Sequence, residues 1–325
     1  MDLLIVGSGG FTQKHAGILS EMDDVRVAGF CSRSADHAGA AARALEARTG
    51  GPVGAFTDLR EALDRTTPDA AVIVVTPDGH GEIELELVSR GIPFLVEKPI
   101  GIEAKVPQRI AEAVEQAGLV TSVGFHMRYL DTTAAFATML RATTTVMANG
   151  YWMSTLPPPS WWRHASESGG QFVEQTIHMI DLMRVLFGEA ESVYAATARR
   201  AISELHADAD VPDSGTAVVR MQSGLVVTLL NSCLGPRSMR VGFEAVTPVA
   251  LFRFSPQALI VERANETTET RPALDPYRAQ DAAFIEAVRT GDASGIRSPY
   301  ADALRSHRVS MAIVESVRTG LPVEL

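Results

Sequence analysis

Short apolar runs and longer amphipathic stretches alternate along the first third of the chain. Leu3–Val6, Val25–Cys31, Ala70–Val75, Phe94–Val96 and Leu119–Val123 are rich in β-branched residues and lack polar alternation. That is the pattern of strands buried on both faces of a parallel sheet. Between them, Thr12–Glu21, Ser34–Ala47, Leu59–Arg65, Gly81–Arg90 and Glu103–Ala117 carry helical spacing. Ser34 and Asp58 stand where helix N-caps belong, and Gly91 and Gly118 where helices stop. The alternation predicts an α/β fold whose first domain, residues 1–123, is a doubly wound parallel sheet of the Rossmann type.

The pattern changes in residues 124–325. A helix near Thr132–Arg141 precedes a strand-like stretch, Thr144–Met153, then a Pro-rich loop at Leu156–Pro159 and one apolar helix over about Gln171–Leu186. Strand signals then follow one another at Ser192–Ala198, Thr216–Met221, Leu225–Asn231, Met239–Ala245, Val249–Phe254 and Ala258–Glu262, with turns at Gln222-Ser223-Gly224 and Thr247-Pro248. Helices at Tyr277–Thr290 and Tyr300–Thr319 close the chain. The second domain is therefore predicted as α+β with an open, mostly antiparallel sheet.

Composition narrows the function classes. The 325 residues are 46% hydrophobic and 21% charged, as in globular proteins with a sizeable core. The 29 Lys+Arg against 39 Asp+Glu leave a net charge of −10, which disfavours a nucleic-acid partner. No apolar run approaches the ~20 residues of a membrane span. Strand-like sequence begins at Leu3, which leaves no room for a signal segment. Two cysteines, Cys31 and Cys233, form neither a disulfide framework nor a metal-ligand spacing. A soluble cytoplasmic enzyme without a metal is the expectation.

Gly7-Ser8-Gly9-Gly10-Phe11-Thr12 follows the first strand and opens the first helix. Gly7 suits a tight turn, and Gly9 lets the backbone approach a pyrophosphate on the helix N-terminus; Thr12 stands where the fingerprint has a third glycine. The second strand ends Phe30-Cys31-Ser32-Arg33-Ser34 without the carboxylate that usually takes the ribose hydroxyls. Ser32 and Arg33 suit a 2′-phosphate, so NADP(H) is preferred, with NAD(H) the alternative; Arg33 on a solvated loop is the bland reading. Glu97 and Lys98 lie at the carboxyl end of a buried strand, where ligands sit in open α/β sheets, and Pro99 holds Lys98 extended. Lys98 there can stabilise negative charge on a substrate oxygen.

On the predicted helix Gln171–Leu186, the polar residues Gln171, Glu174, Gln175, His178 and Asp181 fall on one face. A solvated face usually carries Lys or Arg, and this one has none, so the stripe suits a cleft. His178 is its one side chain able to give and take a proton near neutrality, with Glu174 at i−4 and Asp181 at i+3 placed to reach it or the substrate. Trp161, Trp162 and Arg163 sit in the preceding loop, where they either stack on a sugar or plug a domain junction. His126 and His164 can face a cleft; His15 and His80 cap or pack at helix starts; His37, His206 and His307 read as surface.

Gly7-Ser8-Gly9-Gly10 with His15, Pro68-Asp69-Ala70 leading to Val74-Val75-Thr76-Pro77, Glu97-Lys98-Pro99, Gly124-Phe125 with Arg128-Tyr129, Gly169-Gly170, Glu174 and His178-Met179-Ile180-Asp181 occur in that order. Together they resemble the glucose–fructose oxidoreductase/inositol dehydrogenase/MocA (Gfo/Idh/MocA) family over essentially the whole chain. The resemblance implies an NAD(P)-dependent dehydrogenase or reductase of a sugar or polyol, assembled as a homodimer or homotetramer. It implies His178 as acid/base, completed by Asp181 and Lys98. Glu174 stands where many members have Asp. The cofactor would lie against Gly7 to Thr12, Ser32, Arg33, Thr76, Pro77, His80, Glu97 and Lys98, and the substrate against Trp161, Trp162, Arg163, His126 and Arg128. Two alternatives use the same fold: a glycoside-cleaving enzyme that oxidises its substrate transiently, and a non-catalytic dinucleotide sensor.

Overall fold

The computed structural model describes residues 1–325. Its first 124 residues run β1 (Asp2–Val6), α1 (Gly10–Leu19), β2 (Arg26–Cys31), α2 (Ala35–Thr49), β3 (Gly54–Phe56), α3 (Leu59–Thr66), β4 (Ala70–Ile73), α4 (Glu82–Ser89), β5 (Phe94–Val96), α5 (Lys105–Ala117) and β6 (Thr121–Val123). The sheet is wholly parallel in the order β3-β2-β1-β4-β5-β6. The order reverses between β1 and β4, the switch point at whose carboxyl edge ligands bind in such sheets. Leu3, Leu4, Ile5, Ile73, Phe94, Leu95 and Val96 are fully buried, which explains their unalternated apolar runs. Ser34 and Asp58 cap α2 and α3 as expected, accepting from the N–H groups of His37 and Glu61. The short edge strand β3 is an addition to the sequence reading.

Downstream come α6 (Asp131–Arg141), β7 (Met147–Met153), α7 (Ala165–Ser168), α8 (Gln171–Glu174), α9 (Ile177–Phe187), β8 (Ala190–Ala198), α10 (Ile202–Leu205), β9 (Ser214–Met221), β10 (Val226–Ser232), β11 (Arg240–Val246), β12 (Leu251–Ser255), β13 (Ala258–Arg263), β14 (Glu266–Thr270), α11 (Pro276–Thr290), α12 (Tyr300–Thr319) and β15 (Val323–Glu324). The nine strands from β7 to β15 pair in the order β14-β13-β12-β11-β7-β10-β9-β8-β15, antiparallel except for β7 with β10. Helices α6, α8 and α9 pack on one face of this sheet. The alternation of buried and exposed positions along β9 reflects that one-sided burial.

Two compact units result. The second holds 102–104, 125–276 and 303–325; the first holds 1–101, 105–124 and 277–302. Thus α11 belongs with the parallel sheet, where Phe284, Ile285, Ala287 and Ile296 join Leu3, Ile5, Leu19, Val72 and Leu95 in one core.

The expected helix Gln171–Leu186 is two helices. It breaks at Gln175–Thr176, where the Thr176 N–H reaches back to the Gln171 carbonyl at 2.8 Å. The buried Thr176 hydroxyl accepts from the Asn231 side chain on β10 at 2.9 Å, a tertiary anchor that local periodicity does not contain. Gln171 and Glu174 therefore lie on a separate short helix from His178 and Asp181.

Candidate active site

In the first unit, three candidate segments end at the carboxyl edge of the parallel sheet. Gly7, directly after β1, has φ +127°, and a Cβ there would meet the Val74 carbonyl oxygen at 1.9 Å. Only glycine makes that turn without displacing backbone. Gly9, extended, is the N-cap of α1, and its amide neighbourhood is open: a Cβ on Gly9 or Gly10 meets nothing within 4 Å. The unpaired first-turn amides of a helix are a ready anion site. Thr12, in place of the third fingerprint glycine, is fully buried with its hydroxyl lacking a partner. Phe11 is half exposed beside Tyr277. Thr76 precedes a 3₁₀ turn at Pro77–Gly79, and its buried hydroxyl also lacks a partner. These open amides and orphaned hydroxyls fit a dinucleotide's phosphates and sugars.

At the end of β2, the Ser8 and Ser32 hydroxyls lie 2.8 Å apart, and Arg33 is on the surface. Asp58, whose charge reaches Cys31, is engaged in capping α3. Burial first, then Asp58, pushes the Cys31 thiol up to about 11. His80 is tied into its own turn: its Nδ1 lies 2.5 Å from the buried Glu84, which also accepts from the Gly81 N–H at 2.7 Å. Burial alone would raise the Glu84 carboxyl, but His80 and the Gly81 amide outweigh it and hold it below the usual range.

Lys98 follows β5, with its N–H 3.3 Å from the Glu97 carboxylate. Glu97 also meets His15, at 3.1 Å, and the other ring nitrogen of His15 meets Asp281 of α11 at 2.9 Å. All three side chains are almost wholly buried. His15 was expected to cap or pack, and the structure makes it the centre of an ionic triad. Burial opposes its charge, yet the bonds and charges of Asp281 and Glu97 raise its pKa to about 10. Residues 15, 97 and 281 are too far apart in the chain for spacing to reveal the cluster.

In the second unit, His178 is buried on α9 among aromatic rings. Trp152 of β7 stacks against it with ring centres 5.4 Å apart, His126 meets it edge-on at 4.9 Å, and Phe125 edge-on at 6.1 Å. The buried Trp152 indole N–H has no hydrogen-bond partner, so a donor with unmet capacity adjoins the imidazole. Neither His126 nor Trp152 is on the predicted polar stripe. Trp152 was missed because a tryptophan within a strand signal reads as core.

Several expected roles change. Asp181 does not orient His178: it is clamped by the Arg128 guanidinium at 2.7 and 2.5 Å and accepts from the Ser306 hydroxyl at 2.7 Å. All of these groups are buried, which makes this pair a fixed base to α9 rather than a surface contact. Arg128, expected on the substrate, is thereby committed to Asp181. Glu174 accepts from the Trp162 indole N–H at 2.7 Å, and Trp162 is fully buried with Ile202, Ala209, Val211 and Cys233. Trp162 is thus a core residue of the second unit. Trp161 packs partly buried on the same cluster. Arg163 holds Asp208 at 3.0 Å and His206 at 3.4 Å, which binds it to a neighbouring loop. His307, read as surface, is buried, with Nε2 2.8 Å from the Glu103 carbonyl.

Two family descriptions match the chain: an oxidoreductase family with an NAD-binding Rossmann fold over residues 1–125, and the GFO/IDH/MocA C-terminal domain over residues 138–247. An inositol 2-dehydrogenase of Rhizobium meliloti is 26% identical across 96% of both chains. A scyllo-inositol 2-dehydrogenase (NAD(+)) of Bacillus subtilis is 25% identical across 82% of this chain and 81% of its own. The fold is shared with the WlbA dehydrogenase of Bordetella pertussis, solved with NADH and UDP-GlcNAcA, at a TM-score of 0.84 and 23% identity over 100% of this chain and 98% of that one. No helix is long and apolar enough to cross a membrane.

Proposed function

The chain belongs to the Gfo/Idh/MocA oxidoreductase family, and on that premise we propose that it interconverts a secondary hydroxyl and a carbonyl on a polyol or sugar. The observation that carries the reading is His178: a buried imidazole walled by Trp152, His126 and Phe125, on a helix pinned by the Arg128–Asp181 pair. A proton-transferring group in a water-poor, rigid setting suits alcohol oxidation, which must release a hydroxyl proton as the carbon loses hydride. The inositol 2-dehydrogenase names of the relatives support a cyclic polyol as substrate.

A nicotinamide dinucleotide, when bound, supplies the hydride acceptor or donor. The amides of Gly9 and Gly10 at the start of α1 would hold its pyrophosphate, with Ser8, Phe11, Thr12, Thr76 and Pro77 around it. Ser32 and Arg33, at a strand end without a ribose-binding carboxylate, favour the 2′-phosphate of NADP(H) over NAD(H). His178 takes the hydroxyl proton in oxidation and returns it in reduction. Lys98 supplies an ammonium to the oxygen while it carries alkoxide character.

The experiment is a panel of inositols, sugars and sugar derivatives incubated with NADP+ or NAD+ and followed by nicotinamide absorbance. Net reduction with a polyol supports the reading, with the better rate expected for NADP+. Product formation with no net absorbance change would favour glycoside cleavage, and dinucleotide binding without any turnover would favour a sensor.

A further inference from the structure

A hydroxyl both gives and accepts a hydrogen bond, so two hydroxyls within reach hold one O–H between them and leave the other to point elsewhere. The carboxyl edge of the parallel sheet carries such a pair. The Ser8 hydroxyl, in the turn after β1, lies 2.8 Å from the Ser32 hydroxyl, directly after β2, and both residues are partly buried. The backbone around them is fixed. The Gly7 N–H donates to the Cys31 carbonyl at 2.8 Å, which ties the two strand ends together, and the Ser32 N–H donates to the Phe56 carbonyl of β3 at 3.0 Å. The nearby polar side chains are occupied as helix caps: Ser34 accepts from the His37 N–H, and Asp58 from the Glu61 N–H. Arg33, next in the chain to Ser32, is exposed. Ser8 is the middle residue of Gly7-Ser8-Gly9, where the tight turn requires the glycines and makes no use of a hydroxyl.

We propose that Ser8 is a positioning residue for cofactor choice: by donating to the Ser32 oxygen, it turns the Ser32 O–H outward as a donor for the 2′-phosphate of NADP(H). The inference rests on the reading of Ser32 and Arg33 as the residues that face that phosphate. A phosphate dianion offers only acceptors, so Ser32 serves it only while its own O–H is not given to Ser8. With Ser8 donating, the two hydroxyls form a chain that ends on the anion, and each bond polarises the next. A ribose 2′-hydroxyl makes no such demand, because it can donate to Ser32 or accept from it. The pair can then run in either direction. The Ser8 hydroxyl therefore matters for NADPH and hardly at all for NADH.

Calorimetric titration of the full chain with NADPH and with NADH reads this without any substrate. Ser8→Ala should weaken NADPH binding about threefold to tenfold, the worth of one neutral hydrogen bond, and leave NADH binding within about twofold. Ser8→Gly, which also lacks the hydroxyl, carries the same expectation if Ser8→Ala does not fold. Ser8→Thr, which restores a hydroxyl, should recover most of the NADPH affinity. In a Ser32→Ala background, Ser8→Ala should have no further effect on NADPH, because the hydroxyl it orients is gone. Equal losses for both dinucleotides would overturn the proposal and make Ser8 a residue of the turn alone. Losses that multiply in the double variant would overturn it too, since Ser8 would then act without Ser32. If Arg33→Ala removes a preference for NADPH that Ser8→Ala leaves intact, the role of Ser8 falls and the reading of the phosphate site stands. An unmodified protein that binds NADH at least as tightly as NADPH would overturn both.

Discussion

Rings on three sides leave His178 little freedom to rotate, and its helix is held from below by the buried Arg128–Asp181 pair. Such preorganisation suits the proton-transfer role proposed for His178. His178→Asn removes the proton acceptor while roughly keeping shape, and turnover should fall about 10²- to 10⁴-fold, the usual contribution of acid–base catalysis. Dinucleotide affinity, measured by fluorescence quenching, should stay near that of the unmodified protein. Turnover retained within about threefold, far short of the usual factor, would make His178 a packing residue. The proposed preference for NADP(H) is tested at the tip of β2. Arg33→Ala should weaken NADPH binding by about ten- to a hundredfold, the worth of a charge-assisted pair of roughly 1.5–3 kcal/mol, and leave NADH binding unchanged. Tighter binding of NADH than NADPH by the unmodified protein, in a calorimetric titration, would remove Arg33 from that role.

Elements differ in how far their own residues announce them. Strands β1, β4 and β5 are buried on both faces, so their apolar runs stand out. By contrast β14 is Glu-Thr-Thr-Glu-Thr with every residue exposed, and it exists only because β13 offers a free edge. Hydropathy cannot find such a strand. The break between α8 and α9 has the same character, since it depends on Asn231, 55 residues away. His178 was legible as a candidate from its chemistry, whereas its ring neighbour Trp152 was hidden in a strand. The triad was hidden too, because Asp281 comes from α11, 266 residues after His15. That helix leads to a prediction. A fragment ending at Gly124 retains the whole parallel sheet but loses Phe284, Ile285, Ala287 and Ile296 from its core. Emptying the Phe284 position alone is worth about 3–5 kcal/mol, against a total stability of about 5–15 kcal/mol for an ordinary domain. The fragment should therefore lack a cooperative thermal transition by near-ultraviolet circular dichroism. A sharp melt close to that of the full chain would show that α11 is dispensable to this unit.

Across the whole molecule, the buried ionisable groups set how stability responds to pH, and their signs can be added. His15 has a folded pKa of about 10 against an ordinary value of 6.5. The folded state therefore binds its proton more tightly than the unfolded state does. The stability this gives is complete below about pH 6.5 and is lost as pH rises toward and through 10. The thiols of Cys31 and Cys233, pushed up to about 11 chiefly by burial, act in the same sense. Unfolding exposes them to ionise near 9, which favours the unfolded chain from there upward. Burial likewise drives the Tyr300 phenol well above its ordinary range, extending the loss at high pH. On the acid side Glu84, held low by His80 and the Gly81 amide against its burial, contributes stability present above the unfolded carboxylate pKa and lost as pH falls through the folded one. The urea midpoint should thus be greatest on the acid side of neutrality and decline steadily from about pH 6.5 to 9.5. His15→Gln should flatten the part of that decline below pH 9, where the thiols are still silent, and leave the steeper part above it. A midpoint that is level from pH 6 to 9 in the unmodified protein would mean that His15 is neutral in the fold, with one of the two carboxylates facing it protonated instead.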